Sequence, residues 1–163
     1  VKFWFISAAV SGFLSVAFGA FGAHSLKNIL DEYGKSIYEK AVLYQMFHTI
    51  ALFAVGVSQH LAKDISFSLA GWGFFVGIIL FSGSLYALAT TGIKWIGAIT
   101  PIGGVAFLFG WFWLVLSIIK CACDRNFDVS NKAIPMNRCD EEPTEKPEHG
   151  VILSALKIGL RGG

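Results

Sequence analysis

A histidine within an apolar segment is the first residue of this sequence that could carry chemistry. His48 lies in the run from Ala41 to Ala62, where Tyr44, Gln45 and His48 share about one third of a helix circumference. Hydrocarbon offers no hydrogen-bond partners, so polar groups in a lipid-embedded helix must find them inside the protein. We therefore expect this face to point inward.

A second histidine, His24, ends the first apolar run. Two histidines on neighbouring helices would suit a haem iron or another metal, or a proton relay. The alternative is structural, with His48 hydrogen-bonded to Ser82 or Tyr86 of a neighbouring helix and His24 bonded at a helix end. We favour the structural interpretation and predict no metal site and no cofactor.

Other uncharged polar residues extend the candidate cluster. Thr100, before Pro101, is a good start for the fourth helix, although a start at Trp95 with a proline kink is the alternative. The candidate functional cluster comprises His24, Tyr44, Gln45, His48, Ser82, Ser84, Tyr86 and Thr100. No carboxylate lies inside an apolar run, which argues against a proton-coupled exporter. No Ser-His-Asp or Cys-His set shares one membrane layer, so we predict no catalytic residues and no enzyme activity.

Four apolar runs must position these residues. The first 119 residues hold only ten charged side chains, and none of them lies inside an apolar run, since the second span begins outside the bilayer with Glu39 and Lys40 ahead of its apolar run from Ala41. Each run has about the 20 residues that cross a ~30 Å hydrocarbon core. The sequence therefore predicts an all-α, four-helix transmembrane bundle with spans at about 3–23, 38–62, 65–93 and 101–119. The net charge of +2, without a basic stripe, argues against nucleic-acid binding.

The segments outside the spans differ in character. After the first span, apolar residues at helical spacing from Leu26 to Tyr33 predict a short interfacial helix that ends near Gly34. A capping box at Ser36 and Glu39 would then begin the second span. Residues 120–163 hold 14 charges and three of the four prolines, which predicts a disordered tail. Its cysteines match no standard zinc spacing.

Small residues recur at spacings that allow two helices to approach closely in lipid. The predicted packing positions are Ser11, Ser15, Gly19, Ala23, Gly73, Gly77, Gly103 and Gly110. Such faces serve either packing within one bundle or self-association, so the pattern is compatible with a monomer and with a homo-oligomer. Near the membrane, six Lys and Arg residues fall on the side of the termini and four on the other side, which favours cytoplasmic termini.

Four motifs in order resemble the domain-of-unknown-function 423 family of small integral membrane proteins. They are Gly19-Ala-Phe-Gly-Ala-His24-Ser-Leu26, Tyr44-Gln-Met-Phe-His48, Phe81-Ser-Gly-Ser-Leu-Tyr86 and Thr100-Pro-Ile-Gly-Gly104, and the resemblance covers about residues 5–116. The resemblance implies a four-helix membrane protein, most often of a bacterial cytoplasmic membrane. It implies no reaction, substrate or cofactor. The segment after Lys120 departs from the family pattern.

Three hypotheses about function follow. The leading one is a non-enzymatic multi-pass membrane protein, in contact with the lipid bilayer, that packs or self-associates through its small-residue faces. The second is a small channel or transporter lined by polar groups of spans two and three. The third is a haem- or quinone-binding membrane subunit that uses His24 and His48.

Overall fold

The structure is a computed structural model that describes residues 1–26 and 28–132, with side chains through Asp124. Within these residues it has four long apolar helices: α1 (Lys2–His24), α2 (Glu32–Leu61), α3 (Ser68–Thr91) and α4 (Thr100–Lys132). Each is long and apolar enough to cross a membrane. The predicted all-α, four-span architecture is confirmed.

Helix α3 packs against all three other helices. Its Gly71 faces the indole ring of Trp4 on α1, and its Gly73 faces the backbone of Gly110 on α4. The hydroxyl of Tyr86 on α3 bonds to a side chain of α2. Helix α2 likewise contacts α1, α3 and α4, so α2 and α3 form the central pair.

The buried core is layered along the helix axes. One apolar cluster lies toward the start of α1, and a smaller one lies toward its end. Buried or half-buried polar residues occupy intermediate positions on α1, α2 and α3. The larger cluster is built around Trp4, Leu52, Val55, Phe74 and Phe107, the smaller around Leu26, Ile37 and Leu88, and the polar layer contains Ser11, Gln45, Thr49, Ser82 and Tyr86.

The connection between α1 and α2 differs from the prediction. Its described residues form turns, so the predicted interfacial helix is wrong. Leu26 instead turns into the smaller apolar cluster, because a short connection between antiparallel helices must reverse direction at once. Helix α2 begins at Glu32, where the Asp31 carboxylate accepts from the Gly34 N–H at 2.7 Å. The predicted capping box at Ser36 lies inside the helix.

Helix α3 contains a feature that the sequence did not reveal. Residues Ile78–Ser82 form a π-helical turn between the α-helical segments Ser68–Gly77 and Gly83–Thr91. Such turns are rare and occur frequently at functional sites. The helix ends at Gly92, whose φ of 70° is the left-handed conformation that glycine adopts most easily.

Helix α4 starts where predicted but ends later. A 3₁₀ turn, Lys94–Ala98, precedes it, and the helix begins at Thr100 rather than at the alternative, Trp95. It continues through Lys132, so residues 120–132, which were assigned to the disordered tail, are helical. The rest of the predicted tail, residues 133–163, lies outside the described residues.

Candidate functional site at the centre of the bundle

Gln45 is the centre of a hydrogen-bond network that joins three helices. Its side-chain Oε1 accepts from the hydroxyl of Tyr86 on α3 at 2.8 Å, and its Nε2 donates to the carbonyl of Ser11 on α1 at 3.1 Å. The side chain of Gln45 is only 4% exposed. Both ends of this amide are therefore satisfied within the protein, as a buried polar group in lipid requires.

The network continues through two hydroxyl groups between α1 and α2. Ser11 Oγ lies 2.6 Å from Thr49 Oγ1, and the Thr49 hydroxyl also lies 2.7 Å from the carbonyl of Gln45. Near the other end of α1, the hydroxyl of Tyr38 donates to the carbonyl of Phe18 at 3.0 Å. These bonds tie α1 to α2 at two depths.

His48 makes its hydrogen bonds within α2 and to α4, and its contact with α3 is with the ring of Phe74. Its Nδ1 lies 2.8 Å from the carbonyl of Tyr44, and its Nε2 lies 3.3 Å from the indole Nε1 of Trp111. A carbonyl only accepts and an indole N–H only donates, so Nδ1 must carry the proton and Nε2 must accept. This arrangement requires a neutral imidazole with its proton on Nδ1. The prediction that His48 bonds to Ser82 or Tyr86 is wrong.

The imidazole of His48 also stacks on the ring of Phe107, with centroids 3.4 Å apart and planes 7° from parallel. Only 4% of the residue is exposed. The lone pair of Nε2 already accepts from Trp111, so it is not free to ligate iron while that bond is present. His48 therefore has the surroundings of a structural residue that joins α2 to α4.

His24 lies too far from His48 for both to bind one metal ion. Tyr38 of α2 bonds to Phe18 of α1, and this contact fixes the relative level of the two helices. His48 lies ten residues after Tyr38 on α2, which is about 15 Å along the helix axis. His24 lies six residues after Phe18 on α1, about 9 Å in the opposite direction, because the two helices are antiparallel. Among the described residues, no group of three His, Cys, Asp or Glu side chains has the geometry to hold a metal ion.

The predicted residues of α3 divide between two helix neighbours. Ser84 Oγ lies 2.8 Å from Thr100 Oγ1 on α4, so these two candidates meet each other. Ser82, at the end of the π-helical turn, is 1% exposed, and its hydroxyl is the one buried side-chain polar atom in the described part of the chain without a hydrogen-bond partner. The eight candidates therefore form separate contacts and not one cluster.

Tyr44 lines a groove on the lipid-facing side of α2 and α4. The groove has a volume of about 710 Å³ and is bordered by aromatic rings and by His48. The ring of Tyr44 packs against Phe81 with centroids 4.6 Å apart, and 42% of Tyr44 is exposed. Its hydroxyl makes no hydrogen bond to any residue that the structure describes.

The predicted packing residues lie mostly at helix crossings. A Cβ atom on Gly73 would lie 2.7 Å from the Cα of Gly110, and one on Gly103 would meet the backbone of Phe81. The ring of Phe107 similarly fills the space beside Gly77. On α1, Ser11 and Ser15 are buried and Gly19 faces Val42, whereas Ala23 is exposed.

Sequence reasoning missed four residues of these networks as polar partners. Ser11 was assigned to packing, and Tyr38, Thr49 and Trp111 were not singled out. One signal was available for Thr49, because it lies four residues after Gln45 on the same helix face. Nothing in the sequence signals that Trp111 donates to His48.

Comparison with known proteins places these features in a family. The family described as "Protein of unknown function (DUF423)" matches residues 18–104. A UPF0382 membrane protein of Staphylococcus epidermidis is 45% identical over 122 residues, which are 75% of this chain and 99% of that protein. The UPF0382 membrane protein YwdK of Bacillus subtilis is 41% identical over 121 residues, 74% of this chain and 98% of that protein. No solved structure matches this chain.

Proposed function

Since this chain belongs to the DUF423 family of membrane proteins of unknown function, we propose that it is a non-enzymatic and non-conducting multi-pass membrane protein. The closed network around Gln45 is the observation that carries this proposal. Its donors and acceptors bind each other, and they hold α1, α2 and α3 together. We propose that the protein acts through its lipid-facing sides and not through its interior.

The packing above and below the polar layer supports the absence of a conducting path. On one side lie Leu52, Val55 and Phe74, each with no exposed surface, and on the other side lies the smaller apolar cluster. Water or ions would have to displace these side chains and break the bonds of Gln45. A channel lined by spans two and three of one chain therefore has little support.

The lack of suitable chemistry supports a non-enzymatic role. In the polar layer, the hydroxyl groups of Ser11, Thr49 and Tyr86 bond to a backbone carbonyl, to Gln45 or to each other, and the Ser82 hydroxyl has no partner among the described residues, so none of them contacts a general base there. His48 accepts from Trp111 and donates to a backbone carbonyl, so neither ring nitrogen is aimed at a nucleophile. The polar layer and His48 therefore offer no activated group for a hydrolytic or transfer reaction.

The small-residue faces support packing within one chain. Gly73, Gly77, Gly103 and Gly110 lie at the α3–α4 crossing, Ser11 lies at the α1–α2 crossing against Thr49, and Ser15 is buried. These residues already pack inside one chain, so they are not available to a second copy. Self-association would therefore use the large exposed apolar side chains, which all four helices carry.

The experiment is a flux measurement on the full chain in proteoliposomes. Proton, sodium and potassium leak should equal the leak of protein-free vesicles. The matched variant Gln45→Ala opens the polar layer, and leak that increases only in this variant would still agree with a closed wild-type interior. Wild-type flux that Gln45→Ala abolishes would contradict the proposal, because the polar layer would then be a path.

We also propose a bacterial cytoplasmic membrane with both termini in the cytoplasm. The relatives reported above are bacterial membrane proteins, and the lysine and arginine distribution favours this orientation. The even number of spans requires both ends of the membrane domain to lie on one side.

A further inference from the structure

The groove between α2 and α4 has the features of a binding site for a lipid-soluble small molecule. Its volume of about 710 Å³ falls within the usual range of ligand sites, about 300–1,000 Å³. Its apolar border includes Phe47, Phe81, Leu108 and Trp111. Because the groove is open at the side of the bundle, a molecule dissolved in the bilayer would enter it without crossing water.

Depth in the membrane limits the class of ligand. The charged residue nearest to the groove on α2 is Lys40, and Tyr44 lies four residues, or about 6 Å, further along the helix. His48 lies about 12 Å beyond Lys40. The groove therefore extends from the edge of the hydrocarbon region toward its middle, and an unpaired hydroxyl inside hydrocarbon is costly unless another molecule satisfies it.

Two hydrogen-bond donors lie on this groove. The indole N–H of Trp111 already donates to His48 at 3.3 Å, whereas the hydroxyl of Tyr44 is without a partner among the described residues. The Tyr44 hydroxyl is therefore the donor that is available to an acceptor in the groove. An acyl chain has no acceptor in this region, so it would leave the Tyr44 hydroxyl unsatisfied.

The aromatic border favours a flat ring. Phe47 and Tyr44 are about half exposed and present ring surfaces to the groove, and Phe81 and Phe107 pack behind them. Offset stacking on such rings favours planar ligands. A flat ring with acceptor oxygens and an apolar tail is the chemistry of a lipid-soluble quinone.

We propose that the α2–α4 groove binds a lipid-soluble quinone, with the Tyr44 hydroxyl donating to a quinone carbonyl and the ring lying against the aromatic border. The proposal concerns binding alone and includes no electron transfer. It differs from the hypothesis that paired His24 with His48, because His24 lies at the far end of α1 and takes no part. His48 supports the groove by holding Trp111 in place.

The groove offers a pair of matched glycine variants. Gly104 borders the groove, and a Cβ atom there would have only the Phe81 ring near it, at 3.9 Å. A leucine at this position would project into the groove. Gly83 on α3 is also exposed, and a Cβ atom there would meet nothing within 4 Å. Gly83→Leu therefore controls for adding the same side chain to a lipid-facing helix surface outside the groove.

The test uses the full chain in phosphatidylcholine nanodiscs. Decylubiquinone is the probe, and decylbenzene, which has a ring and the same tail length but no oxygen, controls for partitioning into lipid. Ligand that binds the folded state raises the unfolding temperature, and a titration of this shift gives the affinity. Decylubiquinone should stabilise the wild type and Gly83→Leu equally, and Gly104→Leu should lose at least about tenfold in affinity.

A second variant separates hydrogen bonding from shape. Tyr44→Phe keeps the ring and removes the unpaired hydroxyl, so it should fold normally and bind decylubiquinone about fivefold more weakly. Equal stabilisation by decylbenzene would overturn the proposal, because the groove would then select only for apolar character. Wild-type affinity in Gly104→Leu or in Tyr44→Phe would overturn it as well.

Discussion

A close backbone contact between α3 and α4 predicts a large effect from a single methyl group. A Cβ atom on Gly73 would lie 2.7 Å from the Cα and 2.8 Å from the N of Gly110, and 3.0 Å from the carbonyl oxygen of Ala106. All three atoms belong to the backbone of α4, so no side-chain rotation relieves the contact. Helix α4 would have to retreat by about 0.7 Å to reach ordinary van der Waals distance.

The cost of Gly73→Ala follows from this displacement. A gap of 0.5–1 Å forfeits about a quarter to a half of the dispersion energy of each contact along the crossing. Overpacked sites typically lose about 1–3 kcal/mol. We expect the free energy of unfolding to fall by about 2 kcal/mol, which lowers the ratio of folded to unfolded protein about 30-fold. Reversible unfolding of the purified protein in mixed micelles, titrated with dodecyl sulfate, measures this change.

Gly83→Ala is the matched control, because a Cβ atom there meets nothing within 4 Å. Alanine is the better helix former by about 1 kcal/mol, so this variant should be neutral or slightly more stable. If the two variants unfold at the same detergent fraction, α3 and α4 are not in contact at Gly73. That result would refute the packing described for this crossing.

Three other predictions concern the polar layer and the orientation. Gln45→Leu and Tyr86→Phe should each lower the free energy of unfolding by about 0.6–1.7 kcal/mol. The double variant should lose less than the sum of the two, because both substitutions remove the same bond between Gln45 and Tyr86. Fully additive losses in the same detergent titration would exclude that bond. His48→Leu should lower the free energy of unfolding by about 1 kcal/mol, because the Trp111 N–H is left unpaired. His48→Gln should retain most of the stability, because its side chain is able to accept from Trp111. Equal losses in the two variants would contradict the pairing of His48 with Trp111. A reporter inserted at Asn28, in the α1–α2 turn, should give an extracytoplasmic signal, and a reporter at the N-terminus should give a cytoplasmic signal. The opposite pair of signals would reverse the topology.

The difference between Gln45 and His48 shows where sequence reasoning stops. The two residues lie three positions apart, and therefore about 60° apart around the helix axis. Helical periodicity puts both on the inward side of α2. It does not say which neighbour each one meets, and the structure directs Gln45 to α1 and α3 but His48 to α4.

The sequence by itself determined the number of spans, their approximate bounds and the positions of the small residues. The reason is that the bilayer imposes simple rules, since apolar length sets a span and an unpaired polar group must face inward. These rules act on each helix separately. They therefore apply before any helix is paired with another.

Only the tertiary structure decided which polar groups meet. The pairing of His48 with Trp111, the bond between Ser84 and Thr100 and the open groove beside Tyr44 depend on the lateral order and rotation of four helices. The π-helical turn in α3 also changes the rotation of the residues that follow it. Rotation and lateral order arise from close packing between helices, which depends on distances that one-dimensional periodicity does not contain.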